Sequence, residues 1–460
     1  MYMYGLLIAI LVVVVCGYLI VNKYKAQAVL ICGGFVMMAI AIIFNFGPIL
    51  SAKASTGFAL FDLFKFVDTL ASHRTAELGL MIMVCAGFAK YMDKIGASEA
   101  LVNVAVRPLR LLKSPHMVLC GGFIIGQILH PFIPSASGFG LLLMVTMFPI
   151  YISLGVNRTT ATAVIATNGC LDLGPASGNS ILAAKYAGMT PVEYFVNYQL
   201  PPAIAISLAM TVTHYFMAKY FAKKEESGLS QGIVQTEVVA TKEANKPLTP
   251  GYYAILPAVP LVLVLLFGYF KFKGIKMDIN VALFIGIFVA MIAELFRTKD
   301  LKKVFSSIQT FFDGMGVQFA TVVTLIIAGE TFAKGLQSLG AIDTLIGSAL
   351  SVGFGKDGMI LVMSVIIMLC ALVMGSGNAP FFAFAAFAPD VAKKVGVEAV
   401  NILLPMQLTA SVTRAISPIT AVVVAVSGVA GVSPFDVVKQ TAAPLAVGLI
   451  VVQIMTILMF

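Results

Sequence analysis

Charge is what this chain lacks: only 11% of its 460 residues are Asp, Glu, Lys or Arg, against roughly 25% in an ordinary soluble domain. So few charges cannot cover a water-exposed surface, which excludes a soluble globular enzyme. The 60% share of Ala, Val, Ile, Leu, Met, Phe, Tyr and Cys excludes disorder. Cysteine is also scarce. Its six copies lie inside apolar stretches with no CxxC spacing, so they read as small hydrophobes and not as a disulfide or metal framework. Four histidines stand far apart, none in an HExxH arrangement. With no nucleophile–base pair or metal cluster at membrane depth, a membrane enzyme has nothing to work with. What is present is long apolar sequence, with a mean hydropathy of +0.99. A membrane-spanning helix needs about 20 apolar residues, and the chain has many such runs. The net charge of +9 does not indicate nucleic acid, because the basic residues cluster in short loops between apolar segments. The first run, Tyr4 to Val21, lacks a basic leader and a small-residue cleavage site, and is expected to be a retained helix.

Apolar runs place spans at 4–22, 27–48, 77–93, 116–150, 159–187 and 195–219, and again at 252–269, 279–297, 316–337, 358–391, 399–428 and 435–459. The polar stretch between them, 221–250, reads as a solvated cytoplasmic linker between the units 1–220 and 251–460. Segment 116–150 is too long for one crossing and breaks at Pro131-Phe-Ile-Pro-Ser-Ala-Ser-Gly138; segment 358–391 breaks at Gly375-Ser-Gly-Asn-Ala-Pro380. Their arms, about 14 to 16 residues each, fall short of a full crossing, so both are expected to be re-entrant hairpins. Irregular backbone at such depth survives only inside protein or beside a watery cavity. A single kinked helix is the competing description. Segments 159–187 and 399–428 break at Gly174-Pro-Ala-Ser-Gly-Asn179 and Ser417-Pro418, which marks discontinuous helices.

The two units match at an offset of about 243. Pro175 pairs with Pro418, Ala187 with Ala430, Gly188 with Gly431, Pro191 with Pro434 and Pro201 with Pro444. Thr190-Pro-Val-Glu193 and Ser433-Pro-Phe-Asp436 are both helix starts, with a hydroxyl N-cap followed by proline. Ile95-Gly-Ala-Ser-Glu99 answers Leu339-Gly-Ala-Ile-Asp343. Five crossings per unit turn the second copy upside down. The expected fold is therefore an all-α polytopic membrane protein of two inverted-topology repeats of five spans, each with a re-entrant hairpin and a discontinuous helix. That pattern belongs to secondary transporters. Loop charges favour the N-terminus outside, with 17 Lys and Arg facing the cytoplasm and 11 outside, although Lys271, Lys273 and Lys276 fall on the other side.

Small polar residues collect at the breaks: Ser135, Ser137 and Gly138 at the first tip, and Ser376, Gly377 and Asn378 at the second. Ser177, Gly178 and Asn179 lie at the first helix break, and Arg414, Ser417 and Thr420 at the second. Free amides at half-helix starts attract anions, neutral hydroxyls and amides add donors, and Arg414 could hold a carboxylate bidentately. Together they suit a small anion with several carboxylate oxygens; helix packing through small residues is the plainer alternative. Asn168, Asp172, Thr409, Ser411 and Thr413 are candidates for a coupling ion, sodium or a proton. Asp172 stands open as counter-ion of Arg414, proton carrier or sodium ligand. Glu330 is either a coupling carboxylate or an interfacial acid, and His130 is either titratable or structural. No cofactor and no metal beyond sodium is expected.

Four stretches carry a resemblance: Ser135-Ala-Ser-Gly-Phe-Gly-Leu-Leu-Leu-Met144, Gly375-Ser-Gly-Asn-Ala-Pro-Phe-Phe-Ala-Phe384, Arg414-Ala-Ile-Ser-Pro-Ile-Thr-Ala-Val-Val-Val-Ala-Val426 and Val432-Ser-Pro-Phe-Asp-Val-Val-Lys439. With them the chain resembles the DcuC family of anaerobic C4-dicarboxylate carriers, within the ion transporter superfamily. The resemblance implies a multi-pass protein of the bacterial inner membrane that carries fumarate, succinate, malate or aspartate, by exchange or with ion coupling. It also implies elevator-like movement, substrate held between two tips and two broken helices, and a homodimer among the assemblies to expect. Asp172, His130, Pro131 and Pro134 depart from the family pattern. A related carrier for an amino acid or a monocarboxylate is the alternative within transport, and a passive channel the alternative outside it.

Overall fold

A computed structural model describes residues 2–112, 114–226, 249–341, 344, 347 and 355–460. Most of the linker expected at 221–250, from 227 to 248, and the repeat anchor Asp343 lie outside the described residues. Every regular element among the described residues is helical, and nine helical stretches among them, the interrupted Ala399–Ala430 included, are long and apolar enough to cross a membrane. The stretch near the N-terminus, Tyr4–Ile20, is a shorter apolar helix.

The expected spans at 77–93 and 316–337 are the C-terminal parts of longer continuous stretches, Ala59–Lys94 and Leu301–Ser338. Reading apolar runs stops at charge, whereas a helix continues as long as its backbone bonds do. Residues Ala59–Arg74 hold Asp62, Lys65, Asp68 and Arg74, and their start is fixed by Asp62, whose carboxylate accepts from Thr56 N at 2.6 Å and Ser55 Oγ at 2.7 Å. Both stretches contain a five-residue π-helical segment, Thr75–Gly79 and Phe319–Val323, followed by Leu80–Lys94 and Thr324–Ser338. From 75 to 319 and from 80 to 324 the spacing is 244.

These elements interlace. Leu80–Lys94 packs against Ile279–Thr298 and Gln309–Gln318, while Thr324–Ser338 packs against Ala26–Ile43 and Ala59–Arg74. Glycine permits the contact. A Cβ at Gly87 would stand 2.7 Å from the Phe311 carbonyl oxygen, and one at Gly34 would stand 2.6 Å from that of Thr331.

The first hairpin region runs Pro115–Leu129, a 3-10 turn at His130–Phe132, the tip, then Ala136–Thr146 and Phe148–Ser153. Its first helix, of 15 residues, reaches about 22 Å at 1.5 Å per residue, short of a crossing as expected. Its second arm, Ala136–Ser153, runs 18 residues, about 27 Å, and is one of the stretches long and apolar enough to cross, longer than the expected arm. In the second region Lys356–Met374, at 19 residues, is longer than the expected arm, and it is followed by the tip and Asn378–Phe384. The broken helices are Arg158–Thr167 with Gly178–Ala187, and Ala399–Thr413 with Ala421–Ala430. Both second halves end on a left-handed glycine, Gly188 at φ 72° and Gly431 at φ 67°. Every residue of Thr159–Thr167 and of Val400–Thr413 is buried, so the broken helices form the centre of the molecule. Thr190 caps the next helix with a full capping box, as its sequence predicts.

Candidate functional site

The four breaks meet at one cavity of about 510 Å³. Ser135 and Ser137 reach it from the first tip, and Ser376, Gly377 and Asn378 from the second. Asp172 and Gly178 come from the first broken helix, Arg414 and Thr420 from the second. The remaining wall comes from the interlaced pair, with Lys90 and Asp93 on one helix and Gly314 and Gln318 on the other.

Local rules place these groups. Ser135 caps Ala136–Thr146 and accepts from Gly138 N at 3.3 Å, so Gly138 serves the turn. Ser376 Oγ accepts from Ala379 N at 3.4 Å. Ser177 and Thr420 stand at the N-cap positions of Gly178–Ala187 and Ala421–Ala430, so both helix starts bring free amides to the cavity wall. Gly377 lets the second tip lie directly on the helix behind it, where a Cβ would collide with the Ala410 carbonyl oxygen.

Arg414 is buried and sits at the junction of all four breaks. Its Nη1 donates to Asn378 Oδ1 at 3.3 Å, its Nη2 donates to the Gly169 carbonyl, and Nη1 lies 3.8 Å from Asp172 Oδ2. Its own carbonyl accepts from Thr420 Oγ1 at 2.5 Å, which ties the guanidinium-bearing turn to the helix start beyond it. Asn179 Nδ2 lies 2.8 Å from Asp172 Oδ2, 3.1 Å from Asn378 Oδ1 and 3.4 Å from Ser411 Oγ. One amide thus touches the first break, the second tip and the second broken helix.

The other candidates occupy the shell around this junction. Ser417 Oγ donates to the Leu372 carbonyl at 3.1 Å and anchors the second break to Lys356–Met374. Thr409 accepts from Gln453 Nε2 at 3.4 Å, on the side of the C-terminal helix. Asn168 lies against Gly126, and its side-chain atoms, like Ser177 Oγ, Thr413 Oγ1 and Asn179 Oδ1, are buried and have no hydrogen-bond partner among the described residues. His130 is fully buried, with its ring 3.1 Å from where a Cβ of Gly169 would lie. Glu330 stands apart from the cavity lining and accepts from Arg74 Nε at 2.7 Å.

Sequence reasoning passed over Gln199 and Gln407. Gln199 Nε2 donates to the Asp172 carbonyl at 3.3 Å and Gln407 Nε2 to the same oxygen at 3.5 Å. Gln199 Oε1 accepts from Gly174 N at 3.1 Å, and Gln407 Oε1 accepts from Tyr194 Oη at 3.1 Å. The signal was there as single amides in apolar runs, at Tyr198-Gln-Leu200 and Met406-Gln-Leu408.

Residues 4–460 match the family described as DcuC, C4-dicarboxylate anaerobic carrier. The anaerobic C4-dicarboxylate transporter DcuC of Escherichia coli is 36% identical over 454 residues, which is 99% of this chain and 96% of that protein. The probable anaerobic C4-dicarboxylate transporter DcuC of Vibrio cholerae is 33% identical over 459 residues, covering 99% and 98%. Among solved structures, the YdaH transporter of Alcanivorax borkumensis matches with a TM-score of 0.66 at 13% identity, over 94% of this chain and 97% of that one. MtrF of Neisseria gonorrhoeae matches with a TM-score of 0.61 at 13% identity, over 95% of each chain. At these identities the structural likeness speaks for the fold.

Proposed function

This chain belongs to the DcuC family of C4-dicarboxylate anaerobic carriers, and on that premise we propose how it holds and moves its substrate. The family is one of membrane transporters and not of enzymes, and the chain is a multi-pass protein of the bacterial inner membrane. The proposed substrates are succinate, fumarate, malate and aspartate, carried by exchange or with ion coupling.

The observation that carries the reading is the convergence of both tips, both helix starts and Arg414 on one cavity. An arginine has five N–H donors, and two of these nitrogens are engaged by Asn378 and Gly169. The rest can grip one carboxylate of the substrate. The second carboxylate then falls to the amides at Gly178 and Ala421, with the hydroxyls of Ser135, Ser137 and Ser376 alongside, while Thr420 spends its one O–H on the Arg414 carbonyl. Neutral donors carry most of this work, which avoids burying further charge in the membrane.

Under the orientation with the N-terminus outside, Lys90 and Asp93 lie at the cytoplasmic end of their helix. The cavity then reaches toward the cytoplasm. Two inverted repeats would let the tips and broken helices slide as one body past the interlaced helices, carrying substrate elevator-fashion. If sodium is the coupling ion, the buried unpartnered oxygens of Asn168, Asn179 and Thr413 are the donors that fit a hard monovalent cation.

Counterflow in proteoliposomes with labelled succinate against unlabelled dicarboxylates, monocarboxylates and amino acids tests the assignment. Dicarboxylates should compete and monocarboxylates should not. Arg414→Ala should abolish counterflow. Arg414→Lys, which keeps charge but loses the planar fork, should raise KM about 10- to 100-fold. Unchanged KM in both variants removes Arg414 from the substrate.

A further inference from the structure

We propose that Asp172 is an internal stand-in for a substrate carboxylate: it neutralises Arg414 in the empty carrier, so that the empty carrier can reorient and net flux can accompany exchange. The inference rests on the transport reading above.

Arg414 and Asp172 face each other across the two breaks at 3.8 Å, with their side chains 8% and 6% exposed. A buried guanidinium without a counter-charge is costly at membrane depth. Asp172 is the carboxylate placed to supply that counter-charge, next in sequence to Leu171, the position equivalent to Arg414 in the repeat. Among the described residues, the other titratable or charged groups around the pair are His130, packed against Gly169, the buried Cys170 thiol next to Gly169, Tyr194, bonded to Gln407, and Lys90 and Asp93 on the far cavity wall.

The chain goes to some length to hold Asp172 there. Its backbone is left-handed, at φ 51°, an uncommon conformation for a residue with a side chain. Its carbonyl is clamped by Gln199 and Gln407, one from each half of the chain. Such strain persists where the surroundings over-determine it, and it gathers at working sites.

The distance explains how the pair yields. At 3.8 Å the charges attract but make no hydrogen bond. A substrate carboxylate can bond the guanidinium directly, at about 2.7–2.9 Å and through two N–H groups. It therefore displaces Asp172 from its counter-ion role. Asp172 keeps its 2.8 Å bond from Asn179 meanwhile, and remains in place to re-pair when the substrate leaves. Without Asp172 the empty carrier would have to carry an unpaired Arg414 across, whereas the loaded carrier would not. Exchange should outlast net flux. Removing a carboxylate that competes with and repels the dianion should also tighten substrate binding.

The test uses the purified full chain in proteoliposomes, measuring counterflow of labelled succinate and net efflux into substrate-free buffer from the same preparation. The wild type should show both. In Asp172→Asn the ratio of net efflux to counterflow should fall about tenfold or more, and the counterflow KM should fall several-fold. Asp172→Glu, which restores the charge, should recover most of the ratio. If Asp172→Asn does not fold, Asp172→Ser carries the same comparison. An unchanged ratio, a raised KM in the neutral variants, or a wild type that exchanges without any net efflux overturns the inference. A wild type with no dicarboxylate counterflow at all would instead overturn the transport reading.

Discussion

Gly377 has no room for a methyl group, because a Cβ there would meet the carbonyl oxygen of Ala410, which is backbone and cannot rotate away. Gly377→Ala should cost about 1–3 kcal/mol of stability and depress counterflow sharply, since the displaced tip carries Ser376 and Asn378 into the cavity. Gly428→Ala is the control: nothing lies within 4 Å of its Cβ, and a helical Gly→Ala change should raise the melting temperature slightly. A dye-based melt in detergent beside the counterflow rate separates the two. Arg414, Asn378 and the tip serines were legible in the sequence because polar residues at membrane depth stand out against apolar neighbours. Gln199 and Gln407 were harder to single out, because each stands inside a helix and not in one of the polar clusters at the breaks. Gln407→Leu removes a donor to the Asp172 carbonyl and an acceptor of the Tyr194 hydroxyl. Its expected cost is about 1–3 kcal/mol, read in the same melt.

Helix starts and breaks were the elements easiest to foresee. Glycine and proline at 174–175 and proline at 418 mark the two breaks, although the helices before them stop earlier, at Thr167 and Thr413. The matched pair Gly188 and Gly431 ends both second halves in the left-handed conformation. The charged helix Ala59–Arg74 was harder, since its Lys65–Asp68 pair and Arg74 look like loop chemistry in a hydropathy reading. Its end explains Glu330. The Arg74 guanidinium holds the Glu330 carboxylate at 2.7 Å, with side-chain exposures of 20% and 9%, and so pins one long stretch to the other. That arrangement favours the structural role over coupling. Glu330→Gln should destabilise the protein by about 2 kcal/mol, less than the 3–5 kcal/mol of a fully buried pair because Arg74 keeps some solvent. The melting temperature should fall while the succinate KM and the response to imposed sodium and pH gradients stay as in the wild type. A lost gradient response would return Glu330 to the coupling machinery.

For the whole molecule, the proposed inversion has a direct readout. In a cysteine-free background, Ser153→Cys follows the first hairpin region and Glu398→Cys follows the second, both at exposed positions. A membrane-impermeant maleimide should reach Ser153→Cys from the cytoplasmic side and Glu398→Cys from outside. Labelling of both from one side would remove the inverted arrangement and the elevator with it. The sequence match alone could suggest two copies, but not how they interlock, because a spacing carries no information about which surfaces touch. Leu80–Lys94 lies against helices from the other half, and so does Thr324–Ser338. Neither half therefore builds the cavity wall by itself. If the inversion holds, a half-length ancestral gene whose product inserted in both directions would already have made a working vessel by pairing with its twin, and fusion merely made the partnership permanent.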